Sequence, residues 1–266
     1  MCEVLQVSRS GYYAFLKRPE STREKENRIL LEKIKEIHQK SHQIYGYPRV
    51  TKALPDGLKA SKNRVHRLMR ENGIFSKTRR KYKATTNSNH NLPVAENILN
   101  REFTAARPNQ KWVSDITYIE TAEGWLYLAG VMDLWGRTIV GWSMAEHMRT
   151  ELVENALKHA IGRTHAKAGL LVHSDRGVQY ASKSYQELLR KHGFCCSMSR
   201  KGNCYDNAPM ESFWGKLKTE WLYGRRFKTR DEAKRAVFEY IEIFYNRQRL
   251  HTANGNVAPS DFNSVA

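Results

Sequence analysis

The spacing of apolar positions changes character once along this chain, from helical in its first third to strand-like after residue 111. Residues 24–38 place Ile29, Leu30, Ile34 and Ile37 on one side, three to four apart, which predicts an amphipathic helix. Tyr45-Gly46-Tyr47-Pro48 breaks it. A short helix is expected at 48–54, and Pro55-Asp56-Gly57 stops that one. Ser61 can then cap a helix that turns Val65, Leu68 and Met69 inward and ends at Gly73. Ahead of these, residues 3–18 predict a short helical piece with Ser8 as cap and Pro19 as stop. With so little before it, that piece reads as the tail of a unit that began upstream, or as a frayed terminal helix.

From residue 111 the period shortens. Residues 112–119 are rich in aromatic and β-branched types, Glu123-Gly124 makes a turn, and residues 125–134 are almost continuously apolar. A second turn at Gly136-Arg137 leads to a strand at 138–145, so three strands form an antiparallel meander. A helix at 150–162 follows, with Leu152, Val153, Ala156, Leu157, Ala160 and Ile161 as its stripe. Then come a strand at 170–174, a helix at 182–192, a strand at 194–199 and a helix from about 207 to 222. The last helix, 229–247, opens with Thr229 and Glu232 in capping-box spacing. This order predicts an α/β fold: a mixed five-stranded sheet flanked by helices, preceded by a small all-α region like a helix-turn-helix. The boundaries read as a partial helical segment at 1–20, the helix-turn-helix-like region at 21–76, a basic arm and linker at 77–107, and the α/β domain at 108–266.

Charge sharpens this division. The chain of 266 residues carries a formal net charge of +18. Residues 1–110 hold 23 Lys and Arg against 10 Asp and Glu; residues 111–266 hold 22 against 17. Such an excess points to nucleic acid, double-stranded DNA above all. Arg64 and Arg67 decorate the last helix of the small region, where a recognition helix would lie. Arg79 and Arg80 belong to Lys77-Thr-Arg-Arg-Lys-Tyr-Lys83, an arm suited to tracking phosphates. A solvated charge run is the competing reading of that arm. No apolar stretch approaches the roughly 20 residues of a spanning helix, and the start lacks the regions of a signal peptide. A soluble, cytoplasmic protein associated with the nucleoid is the expectation, with no membrane partner. The four cysteines show no zinc-finger spacing and read as free thiols.

Against this basic background three acids stand out. Asp115 lies mid-strand, on the face shared with Val113, Thr117 and Ile119. Asp175 follows Leu170-Leu171-Val172 at the carboxyl end of a strand, where α/β sheets usually place their ligands. A turn-forming Asp before Gly177 is the bland alternative, and neighbouring His173 is more simply a packing or hydrogen-bonding residue than a ligand. Glu211 shares a helical stripe with Asn207 and Lys218, offset by roughly 85° from the apolar stripe of Met210, Phe213, Trp214, Leu217 and Trp221. Three converging carboxylates can hold two hard cations such as Mg²⁺, with Mn²⁺ as substitute, for in-line displacement at phosphorus. Lys201, Asn207 and Lys218 are then expected along the DNA backbone.

At these residues the chain resembles a known family. The motifs are Val-Ser-Arg-Ser-Gly-Tyr-Tyr at 7–13, Tyr-Gly-Tyr-Pro-Arg-Val at 45–50 and Pro-Asn-Gln-Lys-Trp-Val-Ser-Asp-Ile-Thr-Tyr at 108–118. They continue with His-Ser-Asp-Arg-Gly-Val-Gln-Tyr at 173–180, Asp-Asn-Ala-Pro-Met-Glu-Ser-Phe-Trp at 206–214 and Tyr-Asn-Arg-Gln-Arg-Leu-His at 245–251. Together they resemble the second-reading-frame product (OrfB) of bacterial insertion-sequence transposases with a retroviral-integrase-type core. The resemblance implies an RNase H-like fold and a metal-dependent site in which Asp115, Asp175 and Glu211 are ligands. It implies cleavage at the element's ends and strand transfer into target DNA. Lys218 matches a basic position that follows the glutamate in this group. A homo-oligomer on DNA and the upstream-frame product are the protein partners it suggests. Ala253-Asn254-Gly255 departs from relatives that often have a leucine before the glycine, and the zinc-binding domain of retroviral integrases has no counterpart. No leucine-rich heptads occur, so the chain reads either as a whole transposase or as the catalytic half of a frameshift fusion. A non-catalytic DNA-binding protein and a structure-selective nuclease of the same fold are the rival functions.

Overall fold

The computed structural model describes residues 2–77, 93–201 and 203–265, and the chain divides into two units, Met1–Lys77 and Thr78–Ala266. In the first, α1 (Arg9–Leu16) is capped by the Ser8 hydroxyl, which accepts from Gly11 N–H at 3.0 Å. It is shorter than the apolar spacing suggests and buries none of its residues. Helix α2 (Thr22–Lys40) starts earlier than expected because Ser21 and Glu24 form a capping box, each side chain accepting from the other's backbone N–H. It buries Leu30, Ile34 and Ile37 and leaves Ile29 outside. Helix α3 (Tyr47–Ala53) has Pro48 in its first turn, where a missing N–H costs nothing. Helix α4 (Lys62–Glu71), capped by Ser61, packs Val65, Leu68 and Met69 against α2 and α3.

The second unit is built on one mixed five-stranded sheet. Its strands are β1 (Lys111–Thr121), β2 (Gly124–Asp133), β3 (Ile139–Ala145), β4 (Leu171–Ser174) and β5 (Cys195–Met198), in the order β3-β2-β1-β4-β5. The first three form the expected antiparallel meander, and β1–β4 and β4–β5 pair in parallel. On one face, α5 (Thr150–Thr164) and α7 (Lys183–Lys191) bury Trp112, Ala129, Val131 and Val172 with their own Leu152, Ala156, Ala160 and Leu189. Gly141 lets α5 approach β3 closely, since a Cβ there would lie 2.3 Å from the Ala156 carbonyl oxygen. A single helical turn, α6 (Val178–Ala181), joins β4 to α7; it is too short to leave a periodic signal.

The other face is covered by α8 (Ala208–Leu217) and α9 (Arg230–Phe238); α10 (Pro259–Val265) follows them, with Ser260 N–H donating to Asn246 O. The long helices expected at 207–222 and 229–247 are each α-helical first and π-helical afterwards, over Lys218–Leu222 and Glu239–Tyr245. Tyr223 N–H bonds Lys218 O at 2.8 Å and Asn246 N–H bonds Ile241 O at 3.1 Å, both five residues back. Apolar spacing cannot distinguish the two windings over so few residues. The motif at 245–251 locks this layer to the sheet. The Asn246 amide accepts from Ile139 N–H and donates to Ile139 O, each at 3.0 Å, and the Tyr245 hydroxyl donates to Arg137 O.

Part of the stretch read as linker packs on the second unit. Leu99 is buried, and its N–H donates to the Ser197 hydroxyl on β5. Among the described residues no helix is long and apolar enough to cross a membrane.

Candidate active site

Sheet register brings the two aspartates together. Lys111, Trp112 and Val113 of β1 pair with Leu171, Val172 and His173 of β4, a constant offset of 60 residues. The ladder ends at Val113 and His173, so Asp115 and Asp175 each lie two residues beyond its last pair, and the charge of Asp175 acts on Asp115. The strand β4 ends at Ser174, so Asp175 opens the following loop. There its Oδ1 accepts from Gly177 N–H at 2.9 Å, while Arg176 Nε donates to Ser199 O at 2.6 Å. The turn-forming role of Asp175 is therefore real, and it holds the carboxylate at the strand end.

Helix α8 brings the third acid. Trp214 Nε1 donates to Asp115 Oδ2 at 3.0 Å, and Asn207 Nδ2 donates to Ser114 O at 3.0 Å. These two bonds anchor both ends of a two-turn stretch on β1, and Glu211 lies between them, one turn before Trp214. Glu211 itself is exposed; Asp115 and Asp175 are partly so. Burial pushes the Asp115 carboxyl well above its ordinary range. The negative charge of Asp175 adds to that rise and Glu211 adds further, while the Ile116 N–H and the Trp214 indole work against it. The three acids thus share one electrostatic neighbourhood. Among the described residues, however, no three His, Cys, Asp or Glu side chains form a preformed cage for a single ion.

His173 is not at their disposal. It is fully buried, with Nδ1 2.8 Å from the Ser197 hydroxyl and Nε2 3.1 Å from the Ser199 hydroxyl. Burial pulls its pKa down to about 4, against the opposing influence of Asp206, so the ring is neutral at pH 7.

The expected DNA-contact residues fare differently. Lys201 and Arg67 are exposed, Arg67 with Glu71 only 3.9 Å away. Arg64 is turned back onto its own unit, donating to Asn27 Oδ1 and pairing with Glu26 at 3.0 Å. Asn207 is buried, and its amide serves the α8 anchor. Lys218 is buried as well. Its Nζ lies 4.9 Å from the Tyr118 ring centroid, and burial lowers its pKa to about 8 although Asp115 favours the charge. Arg79 and Arg80 lie outside the described residues.

Two contributors leave no trace in residue spacing. Trp214 reads as core, which it is, but the pattern is silent on its indole N–H. Asp206 is fully buried immediately before Asn207. It accepts from Arg200 N–H, Nε and Nη2, from Arg101 Nε at 2.8 Å and from Asn97 Nδ2 at 3.0 Å. The Arg200 side-chain bonds above all hold its carboxyl far below the usual range. Asp206→Asn should therefore cost about 2–4 kcal/mol at pH 7, the upper end being discounted because both guanidinium groups are half exposed. A depressed folded pKa stabilises above the unfolded value of about 3.9 and is lost as pH falls through the folded one. Urea midpoints of wild type and variant should accordingly converge below about pH 4; parallel curves down to pH 2 would refute it.

Comparison with known proteins follows the same division. Models described as integrase core domain match residues 105–204 and 211–265, and one described as HTH-like domain matches residues 24–82. The chain is 49% identical over 263 residues to the insertion element IS600 uncharacterized 31 kDa protein of Shigella sonnei, covering 98% of this chain and 97% of that one. It is 43% identical over 265 residues to transposase InsF for insertion sequence IS3A of Escherichia coli K12, covering 98% and 92%. The chain belongs to the insertion-sequence transposase family. Among solved structures, a simian T-cell lymphotropic virus intasome in complex with PP2A regulatory subunit B56 gamma aligns with TM-score 0.51 and 16% identity, over 86% of this chain and 73% of that one. The integrase-like, RNase H-like architecture of this transposase family is thus present here. The acids fall inside both integrase-core matches, Asp115 and Asp175 in the first and Glu211 at the start of the second.

Proposed function

We propose that this transposase-family chain is the catalytic subunit that cuts phosphodiesters at the ends of an insertion element and joins the freed 3′-hydroxyl to target DNA. The observation that supports the reading is that the charges of Asp175 and Glu211 both act on Asp115, with Glu211 one turn from the tryptophan bonded to Asp115. Oxygen-only donors suit hard divalent cations, and Mg²⁺ needs only one or two protein carboxylates alongside water and phosphate oxygens. No three-residue cage is required: Asp115 with Asp175, and Asp115 with Glu211, can each hold one ion. Mutual repulsion at Asp115 is what a bound cation would relieve. Bound there, Mg²⁺ or Mn²⁺ would favour deprotonation of the attacking oxygen and neutralise the leaving one.

The chain's own residues do the rest. Asp115 and Asp175 fix one side of the site on neighbouring strands, and Glu211 supplies the other from a helix pinned at Asn207 and Trp214. The exposed Lys201 and Arg67 and the basic side chains of residues 77–83 meet DNA phosphates, and Asn207 and Lys218 act from beneath the surface. Work as a homo-oligomer on DNA, with or without an upstream-frame product, belongs to the same reading.

The test is a strand-transfer assay with Mg²⁺ or Mn²⁺ on oligonucleotides that carry the element's ends. Asp175→Asn should abolish joining while retaining DNA binding. Unchanged joining would exclude this site, and cutting without joining, on junctions that lack element ends, would favour a structure-selective nuclease.

A further inference from the structure

Gly130, Trp214 and Asp115 form a unit that neither the acidic motif nor the family match assigns. Gly130 of β2 is the residue directly opposite Asp115 in the antiparallel ladder. A Cβ built on it would lie 2.8 Å from Cη2 of Trp214 and 3.2 Å from both Cζ2 of Trp214 and Cε of Met210. The six-membered ring of the indole therefore packs against bare backbone at this position of the strand pair. Its Nε1 reaches Asp115 Oδ2 at 3.0 Å, and the ring contacts Phe213, with centroids 4.9 Å apart. An indole N–H can only donate, so it always demands an acceptor oxygen and cannot rotate to offer anything else. Trp214 is also one turn from Glu211 on the same helix.

We propose that Trp214 is a positioning residue for cation binding: its N–H fixes the plane of the Asp115 carboxylate and, through one helical turn, its spacing to Glu211, and residue 130 must be glycine to admit the ring. The inference rests on the proposed metal-dependent reading of the site. Outer partners that orient a ligating carboxylate typically change metal affinity or activity by about 10–100-fold when removed.

The experiment uses the full chain and two variants with opposite chemistry. Trp214→Phe keeps an aromatic ring and removes the donor; Gly130→Ala keeps the donor and displaces the ring. Mn²⁺ binding is followed by loss of the free-ion EPR signal, strand transfer is titrated with Mn²⁺, and circular dichroism melts check folding. Both variants should bind Mn²⁺ about ten-fold more weakly and regain most of the wild-type transfer rate at saturating Mn²⁺. Wild-type Mn²⁺ affinity in Trp214→Phe overturns the proposal, and so does a rate that stays low at saturating metal, which would mark a purely structural role. Should Gly130→Ala melt early, Trp214→Phe alone decides. Failure of the underlying reading looks different: wild type would bind no Mn²⁺, or Asp175→Asn would still join strands.

Discussion

Asp115→Asn should lower strand transfer on the order of 10³-fold or more and, at the same time, raise the melting temperature of the metal-free protein. On the proposed reading, the rate loss follows from removing the acid common to both proposed ligand pairs. Charge stabilisation by a bound cation is worth several kcal/mol, and about 1.36 kcal/mol is a factor of ten in rate. The stability gain follows from the sign of the pKa change. A carboxyl whose folded pKa is raised binds protons more readily folded than unfolded, so its ionisation disfavours the fold at all pH above the unfolded value. Asparagine removes that penalty and can still accept from the Trp214 indole. Added Mg²⁺ should then raise the melting temperature of wild type and leave the variant unmoved. The idea is sunk by a variant that melts lower than wild type without metal, or that gains equally from Mg²⁺. Such a pattern, activity held at the expense of stability, is common where charges are forced together for chemistry.

The strand and helix positions of the candidate site residues are legible in the sequence. Strand periodicity placed Asp115 on the correct face of β1, and the apolar run before it placed Asp175 at the end of β4. Cap chemistry was equally readable: Ser8, Ser61 and Thr229 each accept the backbone bond expected of them. What periodicity could not supply was anything that depends on long-range pairing. Asp206 gathers Arg200 and Arg101, the latter 105 residues away, and no local spacing announces that. Nor does a helical wheel foresee a π-turn such as that over Lys218–Leu222, or that Lys218 is buried beside Tyr118. The bond from the Asn207 amide to Ser114 O is likewise a long-range contact that residue spacing does not announce. Arg64 shows the converse, a cation on an apparently free helix face that its own unit had already paired with Glu26.

The second large effect is one of stability, and it lies in the motif at 245–251. Arg249→Met should destabilise the second unit by about 3–5 kcal/mol. Arg249 is fully buried; its Nε donates to Glu220 Oε2 at 2.7 Å and its Nη2 to Glu220 Oε1, so the pair is bidentate. The Tyr240 hydroxyl donates to the same Oε2 at 2.7 Å. Desolvation pulls the guanidinium pKa down, but the bonds to Glu220 outweigh it and the group stays charged. Removing Arg249 alone takes the bidentate guanidinium away from the buried Glu220 carboxylate, to which the Tyr240 hydroxyl still donates. Breaking one side of a buried ion pair costs more than the net attraction of the pair, because the remaining charge stays desolvated. Replacing both residues, Glu220→Gln with Arg249→Met, should recover more than half of the loss, a non-additivity expected of two groups that act as one. Urea unfolding of the four proteins of that cycle measures it, and a double variant as unstable as the sum of the singles would refute the account. The consequence reaches the chemistry. Tyr240 and Tyr245 back Phe213, with ring centroids 6.2 and 4.7 Å away, and Phe213 sits on α8 between Glu211 and Trp214. Arg249→Met should thus weaken strand transfer at temperatures well below its own unfolding, because the layer that holds α8 against β1 has lost its central ion pair.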